Sequence, residues 1–298
     1  MNFRGERERL AIRSIGVGIT VLALKALAWR LTGSAALYGD ALESFVNVAT
    51  ALATLIALAY AARPADSNHP FGHDKAELFS AALEAALIIV AAISIFEAAW
   101  HHWRLEQPIL SPLRGIALNA AAAALNGGWA LVLLRAARRL QSPALAADGR
   151  HLAADLVTSA GVILGVGLAA LTGRVWFDPL AAALTGAYVL WSGTHLLRES
   201  ASGLLDEAAP EELDRRIRAL VAAHAAGAIE AHDLRTRRAG RTLFLEFHLV
   251  VPGAMQVADA HDICDRVEGA LKAEIANLRV QIHVEPEGKA KHQGVLVL

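Results

Sequence analysis

The sequence predicts an all-α transmembrane domain of six helices over residues 1–206. A small α+β domain of order α-β-β-α-β follows over residues 207–298. Three observations carry this. The 298 residues are 55% hydrophobic but only 6% aromatic, and Ala and Leu dominate, which suits packed helices better than strands. Six stretches reach the roughly 20 mainly apolar residues that a bilayer asks of a helix. After Asp206 the chain turns polar, and its apolar spacing switches between helical and two-residue periods.

The predicted spans are about 10–30, 35–61, 78–102, 113–135, 146–172 and 178–200. Ahead of the first, Arg4 to Arg9 mixes acids with bases and does not make a signal n-region; the apolar stretch after it is too long for an h-region, so it reads as a retained helix. Leu31-Thr32-Gly33 breaks the first two spans, and Arg63-Pro64 to Lys75 forms a polar loop. Gln107-Pro108 to Ser111-Pro112 separates the third and fourth, and Gln141-Ser142-Pro143, with Ser142 in the N-cap region, precedes the fifth. Asp178-Pro179 opens the sixth, with Asp as N-cap and Pro at N1. Trp29, Trp100, Trp103 and Trp176 fall at span ends, where interfacial anchoring accounts for them. Arg4, Arg7, Arg9, Arg63, Lys75, Arg135, Arg138, Arg139 and Arg198 all fall on one face of a six-span topology, which puts both termini in the cytoplasm.

In the C-terminal domain, residues 210–224 read as an amphipathic helix with Pro210 near its start. Glu230 to Arg237 and Arg241 to Val251 alternate as two strands around Ala239-Gly240. A helix at about 257–274 and a strand over Arg279–Val284 complete an α+β layer.

The net charge of −1 offers no bulk signal for nucleic acid. The single cysteine, Cys264, excludes an internal disulfide and a multi-thiolate metal site, and its mid-helix place suits packing. There is no P-loop, no His-Glu-x-x-His and no nucleophile–base pair in the spans, so neither ATP drive nor an enzyme is expected. The twelve histidines, several beside acids, are the unusual feature. Imidazole with carboxylate is a ligand set for Zn, Fe, Co or Mn.

Two apolar segments carry polar residues at one shared spacing. Asp40, Glu43 and Asn47 stand at i, i+3 and i+7, and so do Asp148, His151 and Asp155. These offsets line one helix face. Ionisable groups within a span are costly and point to function. Glu43, Asn47, His151 and Asp155 form two i, i+4 pairs whose N and O donors suit one divalent cation. An interhelical hydrogen-bond cluster is the alternative. Asp40 and Asp148, one turn earlier on each helix, support the ligands or line the access path, and Asp148 equally suits a helix cap.

Asp66, His69 and His73 form a second group, with Pro70 and Gly72 supplying turns that let them converge; a hydrated loop explains them equally. His232, His248, His261, His283 and Glu285 form a third, where scattered surface histidines are the alternative. His283 and Glu285, at i and i+2, share a strand face.

These residues resemble the cation diffusion facilitator family of divalent-metal transporters. Gly33-Ser-Ala-Ala-Leu-Tyr-Gly-Asp40-Ala-Leu-Glu43-Ser44 is similar to the family's second-helix signature. Asp148-Gly-Arg-His151-Leu-Ala-Ala-Asp155, with Thr158-Ser-Ala-Gly161, is similar to its fifth-helix signature, and His69-Pro-Phe-Gly-His73-Asp-Lys75-Ala-Glu77 to its loop motif. Ala231-His232-Asp-Leu-Arg-Thr236 and Ile282-His283-Val-Glu285-Pro286 resemble stretches of its bacterial zinc/proton antiporters.

The resemblance covers nearly the whole chain and implies a role for each group. Glu43, Asn47, His151 and Asp155 would be the transport site, and Asp66, His69 and His73 a loop site. The third group would bind metal in a metallochaperone-like cytoplasmic domain near a dimer interface. Lys75 and Asp206 would form a charge interlock tying two protomers together. A homodimer in the bacterial inner membrane would exchange cytoplasmic metal for external protons, with Zn favoured, Fe, Co or Mn possible, and no organic cofactor. A membrane sensor that binds metal without transport is the alternative. Two departures stand out. Glu43 replaces the family's usual Asp or His, and Asn47 its usual Asp, which takes the formal ligand charge from −3 to −2. Manganese-exporting relatives share the Asn but lack the fifth-helix His, so His151 pulls toward Zn, Fe or Co.

Overall fold

The structure, a computed structural model, describes residues 3–140, 143–240, 242–291 and 294–296. Gln141, Ser142 and Arg241, which figured in the sequence expectations, lie outside the described residues. Among the described residues, six helices are long and apolar enough to cross a membrane. They are α1 (Phe3–Thr32), α2 (Ala35–Ala61), α3 (Ala76–Leu105), α4 (Pro112–Leu140), α5 (Pro143–Thr172) and α6 (Phe177–Leu204). Apart from α2, each is longer than the sequence predicts. Hydropathy marks only the stretch that suits lipid, while Glu, Arg, Gln and Ala are good helix formers that carry a helix on into water.

The turns have local causes. Gly33, at φ +66°, ends α1 with its N–H on the Trp29 carbonyl, and Gly173, at φ +71°, ends α5 on Ala169. Both are left-handed helix caps that a Cβ would strain. Pro112 opens α4, where its missing N–H costs nothing.

Two expectations about caps are corrected. Asp178 does not cap its own helix. α6 begins one residue earlier, and the Asp178 carboxylate accepts hydrogen bonds from Ser34 Oγ and from the N–H groups of Ala35 and Ala36. It therefore caps the first turn of α2 from another helix, where orphan amides and the positive end of the helix dipole favour an anion. Asp148 is not a cap either, because α5 starts at Pro143 and places Asp148 in its second turn.

The chain forms two compact units: Met1–Ile56 with Ser80–Arg198, and Ala57–Phe79 with Glu199–Leu298. The first is held by small and branched residues, among them Ala28, Ala35, Leu37, Ile95, Val162 and Val166. A Cβ on Gly165 would lie 2.3 Å from that of Ala181, so only glycine allows α5 and α6 to approach so closely.

The second unit contains α7 (Glu211–His224), β1 (Glu230–Ala239), β2 (Thr242–Val251), α8 (Val257–Glu274) and β3 (Leu278–Pro286). That is the predicted α-β-β-α-β order. A two-residue strand, β4 (Val295–Leu296), adds to the β1 edge and was not anticipated, being too short for any periodic signal. The sheet order is β3-β2-β1-β4, with β1 antiparallel to β2 and β2 parallel to β3 through α8. Ile217 and Val221 of α7, and Ile263, Val267 and Leu271 of α8, pack on Leu245, Phe247 and Leu249. The helices thus cover one sheet face and leave the other for polar groups.

Asp178→Ala should destabilise the folded protein by about 1–3 kcal/mol, because it orphans buried donors at the start of α2. Asp178→Asn, which keeps an acceptor, should cost less. Thermal unfolding of the detergent-solubilised protein would read both, and an unchanged midpoint for the Ala variant would contradict the cap.

Candidate metal centres

The first centre lies between α2 and α5. Glu43 and Asn47 lie one turn apart on α2, His151 and Asp155 one turn apart on α5, and all four line one cavity of about 60 Å3 together with Tyr188 and Ser192. Asn47 Nδ2 donates to Asp155 Oδ2 at 3.0 Å and stitches the two helices together. Glu43 Oε2 is buried without a hydrogen-bond partner among the described residues. Such an orphaned carboxylate oxygen is costly unless a cation satisfies it. The titratable members do not converge as a closed ligand set. The groups of three His, Cys, Asp or Glu that do, among the described residues, are in the loop and on the sheet.

A larger cavity of about 510 Å3 adjoins this centre and shares Asn47, His151 and Asp155 with it. Asp148 lines its wall. There Trp129 Nε1 donates to Ser14 Oγ at 2.8 Å, and Ser14 Oγ donates to Asp148 Oδ2 at 2.9 Å. A chain of donors running one way polarises each bond in turn. Among the lining residues that escaped the sequence reading are Glu84 of α3, and Asn126 of α4, which is buried with an Oδ1 unpartnered among the described residues. Glu84 falls within the α3 span, in its first third, and obeys the same rule that marked Glu43.

Asp40, expected to support the ligands or line the path, makes a buried ion pair and lines neither cavity. Lys25 Nζ lies 2.8 Å from its Oδ1, and Ser159 Oγ donates to the same carboxylate at 3.0 Å. Lys25 was also missed in the sequence, although a lysine inside an apolar span is the same signal with the opposite sign.

The second centre is in the loop before α3. Asp66 Oδ1 accepts the N–H groups of Asn68 and His69, which closes a tight turn. His73 Nε2 lies 3.4 Å from Asp66 Oδ2, and the rings of His69 and His73 are 4.5 Å apart. His73 is buried against Tyr60, and its Nδ1 has no partner among the described residues. The N–H of His69, above all, holds the Asp66 carboxyl below its ordinary range, so it stays an anion well into acid.

The third centre is built by strand register. His232 pairs opposite His248, and His248 opposite His283, so three imidazoles stand in a row across β1, β2 and β3. Their neighbouring centroids lie 5.3 and 5.0 Å apart, close to the spacing of strands in a sheet. Glu285 reaches along the row, 3.3 Å from His232 Nε2, 3.3 Å from His248 Nδ1 and 3.9 Å from His283 Nε2. A β-bulge after His232 puts Asp233 at φ +53° and brings its carboxylate into reach of His232 and His248, a contribution that a period-two reading hides. Lys291 holds the Asp233 carboxyl below its ordinary range. Glu230, buried, has an oxygen 3.7 Å from His232 Nδ1.

His261 does not join this row within one chain. It stands 72% exposed on α8, with Asp265 one turn on as its ion-pair partner. Helix α8 covers the opposite face of the sheet through its apolar side, which turns His261 away. Cys264, by contrast, packs against the core as expected. Buried imidazole nitrogens of His232 and His248 lack hydrogen bonds among the described residues and have carboxylates beside them, a donor set that fits a divalent ion.

Lys75 Nζ lies 2.9 Å from Asp206 Oδ1 in the same chain, and the Lys75 hydrogen bond is the main reason the Asp206 carboxyl lies below its ordinary range. A depressed carboxylate stabilises fully above its unfolded pKa, about 3.9, and loses that contribution only as pH falls through the lower folded value. Lys75→Ala should therefore shift the unfolding midpoint equally at pH 6 and pH 8, and less in high salt. A shift that grows between those pH values would contradict this pairing. In the row, His248 touches both neighbours and Glu285. His248→Ala should thus lower metal affinity at the sheet further than His283→Ala, as read by calorimetry; equal losses would count against the row as one site.

Two protein families match the chain in succession. Residues 11–205 match the Cation efflux transmembrane domain, and residues 209–287 match the Cation efflux protein, cytoplasmic domain. An uncharacterized transporter of Synechocystis, sll1263, is 45% identical over 93% of this chain and 89% of its own. The cation-efflux pump FieF of Escherichia coli is 31% identical over 96% of this chain and 95% of its own. A solved structure titled as a putative zinc transporter, CzrB, is 52% identical over 29% of this chain and 98% of its own, with a TM-score of 0.28. With both domain families matched in order and relatives aligned along nearly its whole length, the chain belongs to the cation efflux, or cation diffusion facilitator, family.

Proposed function

We propose that this cation efflux protein exports a divalent metal from the cytoplasm in exchange for protons, with zinc the favoured cargo. The observation that supports it best is the grouping of Glu43, Asn47, His151 and Asp155 around one small cavity, with a carboxylate oxygen of Glu43 left unpartnered. Two carboxylates, an imidazole and an amide give four N and O donors, which suit zinc, iron(II) or cobalt, and also manganese. The cargo approaches through the larger cavity, past Asp148, and reaches Asn47, His151 and Asp155 first. Binding draws Glu43 in and closes the ligand set.

Release follows from acid–base chemistry. Imidazole ordinarily titrates near pH 6.5, so a more acidic solution on the far side lets protons compete for the ligands. Protonated ligands bind metal weakly, the ion leaves, and the protonated carrier returns. The loop and sheet centres then serve on the cytoplasmic side, where Asp66, His69, His73 and the histidine row hold metal as it accumulates. In this reading the protein is a homodimer in the bacterial inner membrane with both termini cytoplasmic, in which the Lys75–Asp206 pair of each protomer takes part in a charge interlock between them. The match to a dimerising cytoplasmic domain supports the dimer. No organic cofactor, nucleic acid or enzymatic step is involved.

Reconstituted into proteoliposomes with an imposed pH gradient, the protein should take up zinc at a rate that rises with that gradient. Asp155→Ala should lower uptake at least tenfold, because it removes both a ligand and the acceptor of Asn47. Uptake indifferent to the gradient would overturn antiport. Metal binding without uptake would make the protein a membrane metal sensor instead.

A further inference from the structure

Lys25 and Asp40 are both buried in the span region, at 1% and 0% exposure, and the metal chemistry above uses neither. Their place relative to the transport site is set by helical register. On α2, Asp40 precedes Glu43 by one turn. On α5, Ser159 follows Asp155 by one turn. Asn47 bonds to Asp155, and Asp40 bonds to Ser159, so the two helices run antiparallel with the Asp40–Ser159 contact one layer beyond the ligands. Lys25 of α1 closes this layer from a third helix.

The large cavity lies in the other direction. It is lined by Asp148, Asn47, His151 and Asp155, whereas Lys25, Asp40 and Ser159 are absent from the lining of both cavities at the site. The ligands are thus open on one side and covered on the other by a layer of three polar side chains from three helices. An apolar layer would cover the site at lower desolvation cost. An ion pair differs from it in one respect: when water enters, both partners are rehydrated, and this offsets the loss of their mutual attraction. Such a layer can open where an apolar one resists wetting.

We infer that the Lys25–Asp40–Ser159 cluster is the seal of the transport site on the side away from the large cavity, and that Lys25 is a positioning residue whose separation from Asp40 opens that side. This rests on the transport reading above, since a seal has meaning only where the site must face both ways.

The test uses the full chain in proteoliposomes, with Cys264→Ser as background. Lys25→Met/Asp40→Leu replaces the ion pair by an apolar one. It should keep the KM for zinc within about twofold and lower kcat at least tenfold, because loading is intact and far-side opening is not. Lys25→Arg, which retains a cation facing Asp40, should stay within about threefold of wild type in kcat. Val162→Cys, one turn beyond Ser159, should react with a membrane-impermeant maleimide from the far side during turnover, and should not react in the apolar double variant. Should that variant fail to fold, Lys25→Gln/Asp40→Asn carries the same expectation in weaker form, a several-fold fall in kcat at constant KM. An apolar variant with kcat within twofold of wild type overturns the seal, as does a loss in which KM rises in step with falling kcat. If wild type itself shows no flux, the transport reading fails, and labelling alone decides the seal. Metal-responsive labelling at position 162 in wild type but not in the double variant supports it, and identical labelling in both overturns it.

Discussion

The seam between α2 and α5 is the constraint on which the membrane unit depends. A carboxylate inside an apolar bundle must find donors within the protein, and each of the two buried aspartates of this seam finds them on another helix. Asp155 is held by Asn47, and Asp40 by Lys25 and Ser159. These bonds fix the rotation of both helices, since turning either by one residue would swing its polar stripe into its apolar neighbours. Small residues such as Ala28, Ala35 and Ala36 fill the core of the same unit. Glu43 is the exception. Its unpartnered oxygen leaves the seam one bond short at the place where a cation would sit.

The two units reach a metal-binding arrangement by different routes. In the sheet, register alone lines up His232, His248 and His283, and strand spacing sets their separation, so the row is rigid and assembled in advance. In the membrane the donors come from side chains on separate helices that share a cavity but do not converge. A preformed site binds tightly because little ordering remains to be done, whereas a site that must close around its ion can also let go. The retention proposed for the cytoplasmic unit and the turnover proposed for the membrane unit would follow from that difference.

Much of this was legible in the sequence. The spans show in hydropathy, and the stripe of Asp40, Glu43 and Asn47 in its spacing, because helical period and cost of burial are local properties. The strands of the C-terminal domain show in alternation around Ala239-Gly240. What stayed hidden depended on partners far along the chain. Asp178 resembles a cap of its own helix, and only the packed fold sets it against Ala35 and Ala36. Asp40 resembles a satellite of Glu43 until Lys25 is seen to reach it. Asp233 enters the sheet centre through a bulge that breaks the period on which strand reading relies. His261, grouped with the other histidines by type, is carried off by the face of α8 that must be apolar.

The Asp178 cap has a mechanical corollary. By gripping the first amides of α2 from α6, it pins one end of the helix that carries Glu43 and Asn47. A rod pinned at one end swings as a lever, and its displacement grows with distance from the pin. At about 1.5 Å of rise per residue, Asp40 sits roughly 7 Å from the pin and Asn47 roughly 18 Å from it. A tilt of α2 therefore moves Asn47 more than twice as far as Asp40. A swing that parts Asn47 from Asp155 displaces Asp40 only about two fifths as far, so the polar layers along the seam would come undone one after another rather than together.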